Sequence, residues 1–425
     1  MTIKLFRNAR IYTPISSSSS CAGGKADYSI SLWKSGAVLV KNGLIARIGD
    51  EANVLAGLSH KQVDQEISCE DRCLVPGFVD PHTHMCFSAL REAEFSERLA
   101  GTPYLEILKA GGGILSSVRS VRGSTDDFLF QSTRKNVITA LLNGTTTMEI
   151  KSGYGLDTKT EIRMLKVMER IARETPLDIV TTFMGAHAVP SEYMGDTNGY
   201  VDLLVNEMIP AVSNDCSPSF CDVFCEEGVF SVPQSRRILL TAKEYKMAPK
   251  IHADEVNDVG GAALAAQIGA VSAEHLLAAK DENLVAMAKA GVLAVLLPAT
   301  AYSLRKPYAN ARRMIELGLT VALSTDCNPG SSYTQSMPFV FGLSVMNMMM
   351  TVEEALVACT LNAARAIRMD SLVGSLEIGK YADFVILDGD SPAIMAYQNG
   401  VSPVDSVFKR GECMTKVFQD RICSR

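Results

Sequence analysis

Between Leu74 and Asp326, short apolar runs alternate with longer stretches whose apolar residues recur at helical spacing. The runs begin near Leu74, Thr145, Ile179, Asp222, Lys250, Ala270, Val292 and Thr320. The stretches between them include Thr158 to Arg173, Gly199 to Val212, Pro233 to Lys246, Gly260 to Ile268 and Asp281 to Ala290. Strand then helix, eight times over ~250 residues, predicts an α/β protein built on a (β/α)8 TIM barrel. An open doubly wound sheet is the rival. It calls for a glycine-rich phosphate turn after an early strand, and Gly111-Gly112-Gly113 does not fit that fingerprint.

Outside this stretch the pattern changes. Asn42-Gly43 sits between two β-prone runs, Ala37 to Lys41 and Leu44 to Ile48, which reads as a hairpin. Phe384 to Leu387 and Ser406 to Phe408 are short strand candidates, with Arg410-Gly411-Glu412 as a turn. Both ends are strand-rich, so the economical arrangement is one small β-sandwich domain assembled from residues 1–75 and 371–425 around a catalytic barrel of residues 76–370. Ser16 to Gly24 reads as a low-complexity loop. Thr351 followed by Glu353-Glu354 reads as a helix start, and Met346, Met348, Met349 and Met350 as a Met-rich helix packed on the barrel.

The polar residues that close the apolar runs carry the chemistry. In chain order they are His82 and His84; Glu149, Lys151 and Tyr154; His187; Glu226 and Glu227; His252, Asp254 and Glu255; Glu274 and His275; Thr300; and Asp326 and Asn328. In a parallel barrel these tips share one mouth. His82-x-His84 turns two imidazoles to one side, because side chains alternate along a strand. Alone, such a pair is as readily a surface feature. With His252 and Asp326 at matching tips it predicts a metal centre, since imidazoles and a carboxylate are common ligands.

Bulk properties narrow the class. A chain that is 47% hydrophobic and 21% charged, with a formal net charge of -6, has the make-up of an ordinary soluble globular protein and lacks the basic stripe of a nucleic-acid partner. No run approaches ~20 apolar residues, and the opening Met1 to Arg7 lacks a signal peptide's apolar block, so a cytoplasmic protein without a membrane partner is expected. Eleven scattered cysteines suit reduced thiols; Cys216, Cys221 and Cys225, like Cys69 and Cys73, read as small buried hydrophobes.

Pro76-Gly77-Phe78-Val79-Asp80-x-His82-x-His84 resembles the first barrel strand of the amidohydrolase superfamily. Further segments resemble one family within it, the imidazolonepropionases. They are Arg91-x-x-Glu94-Phe95, Leu99-Ala100-Gly101-x-x-Tyr104, Ala110 to Ile114, Lys151-Ser152-Gly153-Tyr154-Gly155-Leu156, Gly185 to Pro190 and Asp222 to Glu226. His252-Ala253-Asp254-Glu255, Leu297-Pro298-x-Thr300-Ala301-Tyr302 and Asp326-x-Asn328-Pro329-Gly330 complete the set. The likeness runs from about Leu5 to Asp388, and Lys151 to Leu156 is its most specific block.

The resemblance implies one zinc or iron ion held by His82, His84, His252 and Asp326, with water completing the shell. It implies hydrolysis of the ring amide of 4-imidazolone-5-propanoate to N-formimidoyl-L-glutamate, in histidine degradation. Asp326 would move the water's proton to the leaving nitrogen, and His275 would polarise the carbonyl. Glu255 would accept a ring N–H, Arg91 would pair the propanoate, and Tyr154 and His187 would hydrogen-bond the substrate. Asn328, Gly330 and Ser331 would line the opposite wall. In binuclear relatives the residue equivalent to His275 binds a second metal with a carboxylated lysine bridging; Lys151 lies on the wrong strand for that, which favours one ion. The superfamily also makes a homodimer the expected assembly. Cys86 to Leu90 lacks the glycines expected before Arg91, a departure that would bear on substrate preference. The alternatives are another cyclic amidohydrolase, a nucleobase deaminase, or a non-catalytic protein on a decayed barrel.

Overall fold

The computed structural model describes residues 2–16, 27–101 and 112–422. Eight parallel strands follow one another around a barrel in chain order: Phe78–Asp80, Thr145–Lys151, Asp178–Ala186, Phe220–Cys225, Ala248–Ala253, Ser272–His275, Leu293–Leu296 and Val321–Leu323. Every residue of Thr145–Lys151 and of Ala248–Ala253 is buried. Helices cover the outer face and side chains fill the inner one, so these strands lack the alternation of a half-exposed sheet. Thr158–Glu174 shows how the outer layer forms. Asp157 caps it by accepting the Thr160 N–H, and Met164, Leu165, Met168 and Ile171 bury one face.

The seam between the first and last strands closes just past their ends. Asp326 N–H donates to the His82 carbonyl at 3.2 Å and His84 N–H to the Cys327 carbonyl at 2.9 Å. Asp80 clasps the same seam from within. Its carboxylate accepts the Thr325 N–H at 3.1 Å, the Thr325 hydroxyl at 2.6 Å and the Ser324 hydroxyl.

The chain ends build a second sheet. Its order is Glu412–Cys413, Val404–Lys409, Phe384–Leu387, Cys73–Pro76, Ile3–Pro14, Ile30–Lys41 and Leu44–Asp50, with Gln65–Ser68 also beside Ile3–Pro14. The sheet is continuous and encloses its own core, in which Val38, Val40 and Ile45 near one end join Phe6, Phe384 and Phe408. The three phenylalanine rings lie 4.7 to 5.1 Å apart. The Asn42-Gly43 hairpin and the Arg410-Gly411 turn form where expected. Lys409 pairs at 2.5 Å with both Asp383 and Asp178, the first residue of the third barrel strand. The small sheet therefore abuts the barrel at the end away from the histidine-bearing tips.

Three local expectations are corrected. The first run divides: Cys73–Pro76 joins the small sheet, and the barrel strand starts at Phe78. The helix expected over Gly199 to Val212 runs Thr197–Leu203, widens to a π turn over Leu204–Met208, and resumes as Ile209–Asp215. Pro210 has no N–H and crowds the preceding turn, so the wider turn makes room for it. The methionine cluster is not one helix. Met346 is exposed on Met337–Asn347, whereas Met348 and Met350 are buried beyond its end. Thr351 and Glu354 do form a capping box. The Ser16 to Gly24 loop falls largely outside the described residues, as does Gly111.

Asp80→Ala would leave the buried Thr325 N–H and Thr325 hydroxyl at the seam without an acceptor, while the Ser324 hydroxyl keeps the His82 carbonyl at 2.8 Å. The expected loss is on the order of 3 kcal/mol, read from urea unfolding.

Candidate active site

The expected metal ligands converge. Nδ1 or Nε2 atoms of His82, His84 and His252 lie within 4.8 Å of one another, and all three residues are buried. Nε2 of His84 is 3.3 Å from Nε2 of His252. Asp326 Oδ1 lies 3.5 Å from His82 Nε2 and 3.7 Å from His84 Nε2. The other carboxylate oxygen is held by the Thr300 hydroxyl at 2.5 Å, so Oδ1 is the one left facing the imidazoles.

The electrostatics suit a cation at this point. Burial, reinforced by neighbouring positive groups, holds His82, His84 and His275 far below the usual histidine range, so each is a neutral donor. Burial pushes the Asp326 carboxyl up to about 6 against the Thr300 hydrogen bond. Neither ring nitrogen of His82 has a hydrogen-bond partner. A metal ion would satisfy all three: the orphaned nitrogens, the neutral rings and the destabilised carboxylate.

Two cavities flank the cluster. One, of about 270 Å³, is lined by Glu255, His275, Leu277, Leu297, Thr300 and Leu304, among others. Here Glu255 Oε1 is 3.6 Å from His275 Nδ1, and burial, then repulsion from Asp326, pushes the Glu255 carboxyl up to about 7. The other, of about 220 Å³, is lined by Arg91, Phe95, Ser303, Gly330, Ser331 and Tyr333, among others. Glu94 already accepts from Nε of Arg91 at 3.0 Å and from Nη2 at 2.7 Å. Nη1 lies against Gly330, where an added Cβ would stand 2.5 Å from it, so a side chain there would push the guanidinium aside.

The remaining wall comes from the Lys151 to Leu156 turn. His187 stacks on His84 at 4.7 Å between ring centroids and donates from Nδ1 to the Gly153 carbonyl at 3.1 Å, which leaves Nε2 as its acceptor. Tyr154 is buried 5.4 Å from the His187 ring. Asn328 is spent on its own loop. Its carbonyl oxygen accepts the N–H groups of Gly330 and Ser331 at 2.8 and 2.7 Å, and its amide donates to the Asp326 carbonyl at 2.7 Å.

Below the cluster lies an ion network sealed inside the barrel. Lys151 Nζ is 2.8 Å from both Glu149 Oε2 and Asp222 Oδ2. Lys250 Nζ is 3.0 Å from Glu149 and 3.6 Å from Glu274. Asp222, Glu274, His82 and His252 also bring potential ligand atoms within 4.8 Å of one another. Those carboxylates are each already engaged by one of the two ammonium groups. Lys151 is held as a cation by its partners despite burial, the opposite of a lysine poised for carboxylation.

Residues 73–414 match the model of the amidohydrolase family. The chain is 60% identical to the imidazolonepropionase of Syntrophobacter fumaroxidans, covering 97% of each protein. It is 57% identical to that of Desulfotalea psychrophila, covering 97% of this chain and 99% of the relative. The chain belongs to the imidazolonepropionase family. Among solved structures, the guanine deaminase of E. coli shares the fold with a TM-score of 0.74 at 14% identity, over 97% of this chain and 99% of that one. An adenosine deaminase from Xanthomonas campestris with bound zinc shares it with a TM-score of 0.69 at 17% identity, over 99% of each. At such low identity these two speak for the architecture alone.

Beyond the residues expected of an imidazolonepropionase, the structure brings in others that sequence reading passed over. Glu161 accepts N–H groups from Gly153, Gly155 and Leu156 at 2.8 to 3.1 Å and so shapes the turn carrying Tyr154. It sits four residues past the helix cap Asp157, one beyond the position Thr160 takes at the cap, where it reads as an ordinary acidic residue of a first helical turn. Asp254 accepts four backbone N–H groups between Val259 and Ala262 at 2.9 to 3.1 Å, fixing the loop that begins with Glu255. Thr300, noted only as a tip without charge, orients Asp326.

Gly153 has φ +103, and an added Cβ would stand 2.9 Å from both the Met184 carbonyl oxygen and His187 Nδ1. Gly153→Ala is expected to lower stability by about 1–3 kcal/mol in denaturant titrations.

Proposed function

We propose that this chain hydrolyses the ring amide C–N bond of 4-imidazolone-5-propanoate to N-formimidoyl-L-glutamate, using one zinc or iron ion held by His82, His84, His252 and Asp326. Such an ion, when bound, lowers the pKa of a water toward ~7 and polarises a carbonyl. The observation that carries the reading is a guanidinium on the same mouth as the histidine cluster: Arg91 lines one flanking cavity, while His275 and Glu255 line the other. A substrate with a reactive ring and a carboxylate tail spans that arrangement.

The residues divide the work by their chemistry. Arg91 pairs the propanoate through Nη1, the terminal nitrogen that Glu94 does not hold. Asp326 takes the proton of the attacking water on Oδ1 and returns it to the ring nitrogen as the C–N bond breaks. His275 steadies the developing oxyanion. Glu255 accepts a ring N–H, Tyr154 and the His187 Nε2 position the ring, and Asn328 keeps the Gly330-Ser331 wall in place. Residues 1–75 and 371–425 form the supporting β domain of a barrel spanning 76–370. The assembly is a homodimer in the cytoplasm, in keeping with the superfamily and with thiols that are buried and unpaired at Cys216, Cys221 and Cys225. Among the described residues no helix is long and apolar enough to cross a membrane.

Loss of imidazolone absorbance in a hydrolysis assay tests the reading directly. Chelator treatment should abolish turnover, and about one zinc or iron per chain should restore it. A metal-loaded protein inert toward this substrate but active on a nucleobase would favour the deaminase alternative. Arg91→Ala should raise KM at least about tenfold with a smaller change in kcat, because it removes binding that ground and transition states share. Asp326→Asn should lower kcat by on the order of 10³ or more, because it removes the proton carrier along with an anionic ligand.

A further inference from the structure

The network beneath the histidines has no part in the reaction just described, yet its contacts all lead upward to the metal ligands. Glu149, Lys151, Asp222, Lys250 and Glu274 are completely buried. Asp222 cannot swing. Its Oδ1 accepts the N–H groups of Val223 at 2.7 Å and His252 at 3.2 Å, and its Oδ2 sits 2.8 Å from the Lys151 ammonium. That same Oδ2 is 3.1 Å from Nδ1 of His252, whose Nε2 faces His84. The network also grips the His82-x-His84 segment. Lys250 Nζ donates to the Pro81 carbonyl at 3.0 Å, Lys151 N–H to the Thr83 carbonyl at 2.9 Å, and the Thr83 hydroxyl to the Glu149 carbonyl at 2.7 Å.

We infer that Asp222, clamped by Lys151, is a positioning residue for the metal centre: it accepts a hydrogen bond from the Nδ1–H of His252 and so commits Nε2 to the ion. This rests on the metal-dependent reading above. An imidazole can ligate through either nitrogen, and whichever one bonds a carboxylate leaves the other for the metal. The buried lysine matters because a lone carboxylate in this interior would be driven to protonate and would then no longer orient the ring. A role confined to holding the barrel together makes a different demand: Asp222 would affect folding but leave the affinity of a folded site unchanged.

Metal-free wild type and Asp222→Asn are titrated with Zn2+ and with Co2+ against a chromophoric chelator, alongside thermal melts of the metal-free proteins and visible spectra of the Co2+ forms. The variant is expected to bind both ions about 10- to 100-fold more weakly and to shift the cobalt visible band, while still melting cooperatively. Affinities within twofold of wild type and an unchanged band would overturn the inference. Should Asp222→Asn fail to fold, 15N NMR of the Zn2+-loaded wild type decides. With only six histidines in the chain, the His252 ring should show a protonated Nδ1 and a metal-bound Nε2. Ligation through Nδ1, or an unprotonated Nδ1, would overturn the inference. Wild type that hydrolyses the imidazolone with one bound ion while Asp222→Asn keeps its affinity removes this inference alone. Wild type that takes up neither ion removes the metal-dependent reading with it.

Discussion

Charge placed inside a closed barrel has nowhere to go for solvation, and that constraint organises this protein. Three carboxylates and two ammonium groups lie sealed between the second, fourth, fifth and sixth strands, and each is tolerable only because the others stand 2.8 to 3.6 Å away. Replacing any one by an apolar group would strand its partner. The strands must therefore keep their mutual register, and the tips directly above them inherit it. His82, His84 and His252 approach from segments this layer touches, through Lys250 on the Pro81 carbonyl and Asp222 beside His252, and Asp326 joins them across the seam.

The mouth above this layer is held just as tightly. Glu161, Asp254, Asn328 and Asp80 each spend a side chain on backbone groups: those of the Tyr154 turn, the Glu255 loop, the Gly330 wall and the barrel seam, respectively. Loops that would otherwise be free to wander are thus pinned by buried acceptors, and the groups facing the cavities belong to a preorganised surface. The small β domain stands apart from this work at the far end of the barrel, tied on through Lys409 and Asp178.

Much of this was legible in the sequence, and the physical reason is periodicity. Strands buried on both faces appear as apolar runs, and a tip residue is polar because it leaves the core. The barrel, the hairpin at Asn42-Gly43 and the convergence of His82, His84, His252 and Asp326 were all readable on those grounds. What stayed hidden lacks a local signal. Lys151 and Lys250 look alike on strands wherever they point, and only the fold shows that they face inward toward Glu149 and Asp222. Glu161 looks like any acidic residue in the first turn of a helix. The division of the first run at Pro76-Gly77 and the widened turn before Pro210 depend on what packs beside them, and no window of sequence contains that.

One backbone feature bears on how freely this centre could change over evolutionary time. Asp326 has φ +51, a left-handed conformation that aspartate and asparagine enter more readily than other non-glycine residues. A longer carboxylate at this tip would have to reach the histidine cluster from a main-chain geometry that its own Cβ opposes, whereas His275, at φ +70, shows that an imidazole can enter it. Aspartate and glutamate are therefore less interchangeable at this tip than their chemistry suggests. A lineage placing glutamate here would first have to rebuild the turn, which frames the His82 seam on one side and the Gly330 wall on the other.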